Sequence, residues 1–214
     1  SQKVDKKTDF AAAFCANIPD GIRKQFDADV LGIIVARHES LSAARKAGDT
    51  YIEVFNPNEA THGWTSAHTV VNVISDDKAF IIDSVIALLT SKSYLIELIA
   101  HPLVFLTRDK AGKITAVTAA RDSALEGESH IFVQLNRRLT ESEMADLKTD
   151  LAHVYEDVHL TNRDWLDIRT QVMAVSEQIK AASYADPAMK ADHIDFINYI
   201  HDDNFTLLGY CEYD

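Results

Sequence analysis

The order of elements along this chain predicts an α+β fold: a ferredoxin-like two-layer sandwich, with an antiparallel sheet carrying helices on one face and helical extensions at both ends. Three observations predict it. Residues 69–75 (TVVNVIS) read as a strand and residues 79–90 (AFIIDSVIALLT) as an amphipathic helix. Two β-rich stretches joined by turn chemistry follow, and then a third at 129–135 (SHIFVQL). From Thr140 the apolar period changes to that of a helix. The composition, 47% hydrophobic with 7 Gly and 4 Pro, supplies a core and excludes collagen-like or low-complexity chains.

Each element has its own signal. Residues 10–16 (FAAAFCA) form a short helix; the apolar run is too brief, and Asp5 and Asp9 too close, for a secretory leader. Ile22, Phe26, Val30, Ile33 and Ile34 recur at helical steps, predicting a helix over 18–46 capped by Asp20 and stopped by Gly48. Residues 50–55 (TYIEVF) are a strand, ended by Asn56-Pro57-Asn58. In the central helix Phe80, Val85, Leu88 and Leu89 share one face, which Ile81 and Ile82 widen. The β-rich stretch 94–108 is interrupted at His101-Pro102, where the missing proline donor forces an edge, a bulge or a kink. Asp109-Lys110-Ala111-Gly112 then turns the chain into a return strand at 113–119.

Thr140-Glu141-Ser142-Glu143 starts a helix with acidic residues at its positive end. Met144, Leu147, Leu151, Val154 and Val158 repeat at three- and four-residue steps, as do Trp165, Ile168, Val172, Val175 and Ile179. Residues 157–161 (DVHLT) are either a short strand between two helices or the middle of one. A helix over 191–200 and a closing strand over 205–213 complete the chain. The remaining core strand comes from 157–161, from 51–55 or from the C-terminal strand. The expected organisation is a helical leader (1–48), an α+β domain (49–161) and a helical extension with the closing strand (162–214).

Charge and spacing exclude several function classes. With 21 Lys and Arg against 33 Asp and Glu, the formal charge is −12, which disfavours nucleic acid as a partner. No apolar run is long enough to span a membrane, and a cytoplasmic location is expected. Cys15 and Cys211 belong to no CxxC or Cys/His set. The glycines never come closer than eleven residues, which leaves no GxGxxG or P-loop and no cofactor site of that kind in this chain. HExxH and GxSxG are absent and the nine histidines are scattered, so neither a metal nor a catalytic set is assigned.

One constellation stands out as a ligand site. Asp76, Asp77, Lys78, Phe80, Asp83 and Ser84 surround the point where a strand passes into a helix. The helix start attracts a carboxylate, and an aspartate can hold an amino group, which suits a zwitterionic amino acid. The competing reading is that Asp76 or Asp77 only caps the helix. His62, Trp64, His68 and His101 are candidate interface residues; Trp64, beside Gly63, marks either a contact surface or the lid of a core edge.

Val54-Phe55-Asn56-Pro57, His62-Gly63-Trp64, Ser66, His68-Thr69-Val70-Val71, Asp76-Asp77, Phe80, Asp83-Ser84-Val85 and His101-Pro102 occur in an order that resembles the N-terminal region of the large bacterial NAD-specific glutamate dehydrogenases. Glu128-Ser129-His130-Ile131, Asp164-Trp165 and the run from Asp202 to Tyr210 with Glu212-Tyr213 extend the resemblance to residue 213; Ala79 stands where the family carries proline. The resemblance implies the first of several ACT-like modules, regulatory and amino-acid-binding at the junction of first strand and first helix. It implies a homo-oligomeric parent that oxidises L-glutamate to 2-oxoglutarate and ammonia with NAD. Downstream ACT-like and catalytic domains of the same chain would be its partners, and this fragment would be non-catalytic. A purely architectural docking module is the alternative.

Overall fold

Strand β2 (Val70–Asp76) has six successive buried residues, Val70 to Ser75, which a strand shows only when both of its faces are covered. The structure, a computed structural model, describes residues 9–118, 120 and 125–213. Its chain divides into two units, residues 1–156 and 157–214.

In the first unit, β2 lies between β1 (Tyr51–Phe55) and β6 (Glu126–Leu135), antiparallel to both. The sheet runs β1-β2-β6-β4-β5, with β4 spanning Leu103–Arg108 and β5 Ile114–Thr118. Strand β3 (Ile96–Ala100) pairs with residues 132–135 of β6, whereas β4 pairs with residues 126–129. The stretch 94–108 is thus one path broken at His101-Pro102, as its missing donor requires. The Pro102 carbonyl still accepts from the His130 N–H at 3.0 Å. The open question of the remaining strand is settled by β1.

Alternation assigns the two faces. Val70, Asn72, Ile74 and Asp76 stand opposite Gln134, Phe132, His130 and Glu128 on one face; Val71, Val73 and Ser75 share the other with Val133, Ile131 and Ser129. The second face carries the predicted helical layer. Helix α5 (Ile81–Ser91) turns Ile81, Val85 and Leu89 inward. Helix α6 (Glu141–Ala181) buries Leu147, Leu151 and Tyr155. Lys92, just after α5, pairs with Asp150 of α6 at 2.5 Å.

The N-terminal helices form a further layer on the first face. Phe10 and Phe14 of α1 (Phe10–Ala16), with Ile34 and Val35 of α3 (Ala28–Ala44), enter one core with Val70, Phe132, Val104 and Leu106. The continuous helix predicted over 18–46 is instead two pieces. A single turn, α2 (Asp20–Arg23), follows Pro19, and Asp27 then caps α3 by accepting from the amides of Asp29 and Val30. Asp20 is therefore the first residue of α2 rather than a cap, and α3 ends at Ala44 ahead of Gly48.

Helix α6 opens with a capping box. The Thr140 Oγ1 accepts from the Glu143 amide at 3.3 Å, and Glu143 accepts from the Thr140 amide at 2.7 Å. Residues 157–161 are helical, because Val158 continues the stripe of Leu147 and Leu151. In the second unit, Asp186 caps α7 (Pro187–Tyr199) through the Ala188 amide at 2.8 Å. A wider turn (Ile200–Asn204) follows, in which Asp202 and Asp203 leave helical geometry and Asp203 pairs with Arg169. The closing strand expected at 205–213 does not form, since no strand among the described residues offers it a ladder.

Replacing Phe14, which is 1% exposed, tests whether α1 is a structural layer. Phe14→Ala is expected to cost about 3–5 kcal/mol in urea unfolding, the range for a buried phenylalanine; a loss under about 0.5 kcal/mol would mark α1 as a dispensable leader.

Candidate functional site

The junction between β2 and α5 is built by strand alternation. Consecutive residues of a strand point to opposite faces, so Asp76 and Asp77 diverge. Asp76 turns to the α3 side, where its carboxylate accepts from Arg45 at 2.8 Å and from the Gly48 amide at 3.0 Å. Asp77 donates its amide to the Gly127 carbonyl at 2.8 Å. A Cβ at Gly127 would come 3.1 Å from that of Asp77, a tight contact that Asp77 would have to yield to.

Neither aspartate caps α5. The N-cap position is Phe80, in left-handed geometry (φ 71°), and its side chain accepts nothing from the first-turn amides. Lys78 and Phe80 are exposed, Asp83 lies in the first turn, and the Ser84 amide donates to the Phe80 carbonyl at 2.9 Å. His101 joins this group from the β3–β4 kink. Its Nε2 lies 2.8 Å from Ser129 Oγ; burial pushes its pKa down, and Asp77 and Asp83 pull it back up. The junction therefore presents an uncapped helix start beside two carboxylates, a geometry that can receive both charges of a zwitterion.

The remaining interface candidates are dispersed. His62, at the end of α4 (Glu59–His62), stacks on Phe55 with centroids 4.4 Å apart and accepts from the Asn58 amide at 3.2 Å. Trp64, 9% exposed, belongs to the core beneath α3. It lids a core edge because Gly63 (φ 73°) turns the chain inward after α4. His68 is half-buried, its Nδ1 2.8 Å from Gln134 Nε2.

A buried polar network between α3 and the sheet lies behind the junction. Glu128, 1% exposed, accepts from Arg45 Nε at 2.8 Å, from Arg108 Nη2 at 2.8 Å and from the Ser42 hydroxyl. Burial alone would raise its pKa, but the contacts from His130, Arg45 and Ser42 outweigh that and hold it at about 2. His130 Nε2 lies 3.1 Å from Glu128 Oε1, out of line for a hydrogen bond. His130 Nδ1 meets His38 Nδ1 at 3.2 Å, and His38 Nε2 meets Asn72 Oδ1 at 3.3 Å. Burial and the neighbouring His130 depress His38 to about 3, and burial also depresses His130. The sequence signal for this network is faint: His38, Ser42 and Arg45 share a helical face, and Glu128 and His130 share the face of Phe132.

A profile for the family described as "Glutamate dehydrogenase, ACT1 domain" matches residues 10–151. That span contains the whole sheet, α1 to α5 and the start of α6. The chain belongs to this family. NAD-specific glutamate dehydrogenase of Halomonas elongata is 30% identical over 167 residues, and the Pseudomonas aeruginosa protein of the same name is 24% identical over 165. Each alignment covers 76% of this chain and 10% of the relative. The ACT1 match begins at Phe10, so the helices on the first face lie within the family's own span. No helix among the described residues of this ACT1-family chain is long and apolar enough to cross a membrane.

The network is expected to make this ACT1 domain acid-sensitive. His38 protonates in the unfolded chain near 6.5 but in the fold only near 3, so the unfolded state binds more protons and stability rises with pH across that window. Glu128 acts in the same direction between about 4.5 and 2, where acid removes its stabilisation. Urea midpoints measured from pH 7 to pH 3 are expected to fall steadily. Glu128→Gln leaves two guanidiniums without their shared anion and is expected to cost about 3–5 kcal/mol at pH 7.

Proposed function

We propose that this chain is the N-terminal regulatory module of an NAD-dependent glutamate dehydrogenase and binds an amino-acid effector while carrying no catalytic centre itself. The parent would convert L-glutamate, NAD and water to 2-oxoglutarate, ammonia and NADH, using NAD bound in a catalytic domain elsewhere in the same polypeptide. The observation that carries this reading is the ACT1 match over the whole α+β unit, joined to relatives named as NAD-specific glutamate dehydrogenases. The chain spans only a tenth of those relatives. A cytoplasmic homo-oligomer, in which further ACT-like and catalytic domains pack against this module, completes the proposal.

The effector site we assign is the β2–α5 junction. Asp77 and Asp83 hold the α-ammonium, the uncapped start of α5 receives the α-carboxylate, and Lys78, Phe80 and Ser84 form the rim. Asp76 acts from behind, where its pairing with Arg45 fixes the end of β2. Such a ligand shifts the parent only by binding two of its conformations unequally, typically by about 1–3 kcal/mol.

A second reading, an architectural docking module, draws on the exposed apolar residues of the second unit, among them Leu166, Phe196, Tyr199 and Leu208. Calorimetry with glutamate, aspartate and arginine separates the two. Heat of binding that vanishes in Asp77→Ala is expected; no heat up to millimolar ligand, with the fold intact, favours docking. The chain alone, given glutamate and NAD, is expected to form no NADH, and turnover would overturn the non-catalytic assignment.

A further inference from the structure

A second hollow, away from the junction, has the chemistry of a small-ligand site. It encloses about 520 Å³ between α3, β1 and α4, within the size range of small-molecule pockets. Trp64, Phe132 and Phe55 supply aromatic walls, and the ring of His62 lies flat on Phe55. Arg37 of α3 and Glu53 of β1 stand at the rim as an ion pair, with side chains 47% and 18% exposed. The inner polar group is Asn72, 2% exposed and directly across the β1–β2 ladder from Glu53. Its Nδ2 reaches Glu53 Oε2 only at 3.5 Å, the long limit of a hydrogen bond, so this buried donor is weakly satisfied.

Two other hollows among the described residues lack this combination. One, lined by Asp157, Asp164 and Asp167, is acidic without a matching cation on its walls. The other, at the β4–β5 hairpin, has no aromatic wall, and its Arg108 is already committed to Glu128, Ser42 and Gly112.

We propose that the groove between α3, β1 and α4 binds an α-amino acid with an apolar or aromatic side chain. The ligand ammonium takes the place of the Arg37 guanidinium on Glu53. Arg37, on a long and half-exposed side chain, swings to the ligand carboxylate, so one internal ion pair becomes two and no charge is left alone. The side chain lies on Trp64 and Phe55, whose faces reward an apolar or aromatic group over a polar one. Asn72 lines the inner end, and through its 3.3 Å contact with His38 the groove adjoins the buried histidine pair. This site is separate from the β2–α5 junction and shares no residue with it.

The chain has two tryptophans, Trp64 and Trp165, so a Trp165→Phe background makes Trp64 fluorescence report on the groove alone. L-phenylalanine and L-leucine are titrated against this protein, with 3-phenylpropanoate and phenethylamine as single-charge analogues. The expected result is a saturable change in Trp64 emission with millimolar or tighter affinity, at least about tenfold weaker for either analogue. Glu53→Gln is expected to abolish the preference for the ammonium and Arg37→Gln that for the carboxylate, each with an unchanged circular dichroism spectrum. Asp77→Ala is expected to leave the response intact. No saturable change up to about 10 mM overturns the proposal. So does a preference for the doubly charged ligand over its single-charge analogues that persists in Glu53→Gln and Arg37→Gln. Loss in Asp77→Ala alone would return the ligand to the junction, whereas loss in the rim variants alone would leave the junction reading to stand on its own titrations.

Discussion

A carboxylate taken out of water must be given its counter-charges by the fold, and Glu128 receives them from two separate elements. Arg45 comes from the end of α3, Arg108 from β4, and both reach the same oxygen at 2.7–2.8 Å. Desolvating three ions costs several kcal/mol each, so the arrangement persists only with close geometry and further hydrogen bonds. Ser42 and the Asp49 carbonyl, which accepts from Arg45 at 2.7 Å, supply some of these. The network thereby fixes the register of α3 on the sheet. Arg45 also reaches Asp76, so the same guanidinium that serves Glu128 steadies the strand end from which the candidate effector junction springs.

The parts of this fold that are legible in the sequence are those with local causes. Pro102 breaks the long β-rich stretch because it lacks a donor, and Thr140 with Glu143 starts α6 through contacts three residues apart. The periodicity around Val85 and Leu89 is enough to place α5. Where the cause is distant, the sequence is silent. Nothing near His38 announces that His130 will lie against it from 92 positions away. Asp20 and Asp27, seven positions apart, are equally good capping residues by type, and it is Asp27 that caps α3. Residues 205–213 have strand composition, yet a strand exists only with a neighbour to pair with.

The candidate site was partly legible for the same reason. Asp76 and Asp77 are adjacent in sequence and look equivalent there, but the pleat sends one into an ion network and leaves the other near His101. Trp64 beside Gly63 reads equally as a contact surface or as the lid of a core edge until the left-handed Gly63 is seen to fold it under α3. Membership in the ACT1 family adds a different kind of knowledge, since fold and family do not specify which hollow holds a ligand. That question belongs to individual carboxylates and amides.

Arg108 is more than a counter-ion. Its guanidinium donates to the Gly112 carbonyl in the β4–β5 turn at 3.0 Å and to the Ser42 carbonyl in α3 at 2.9 Å. A two-stranded ribbon at a sheet margin ordinarily frays by itself, its amides exchanging with solvent through small local openings. Here the ribbon is riveted to a helix on the layer above, so the two are bound to open as one cooperative block.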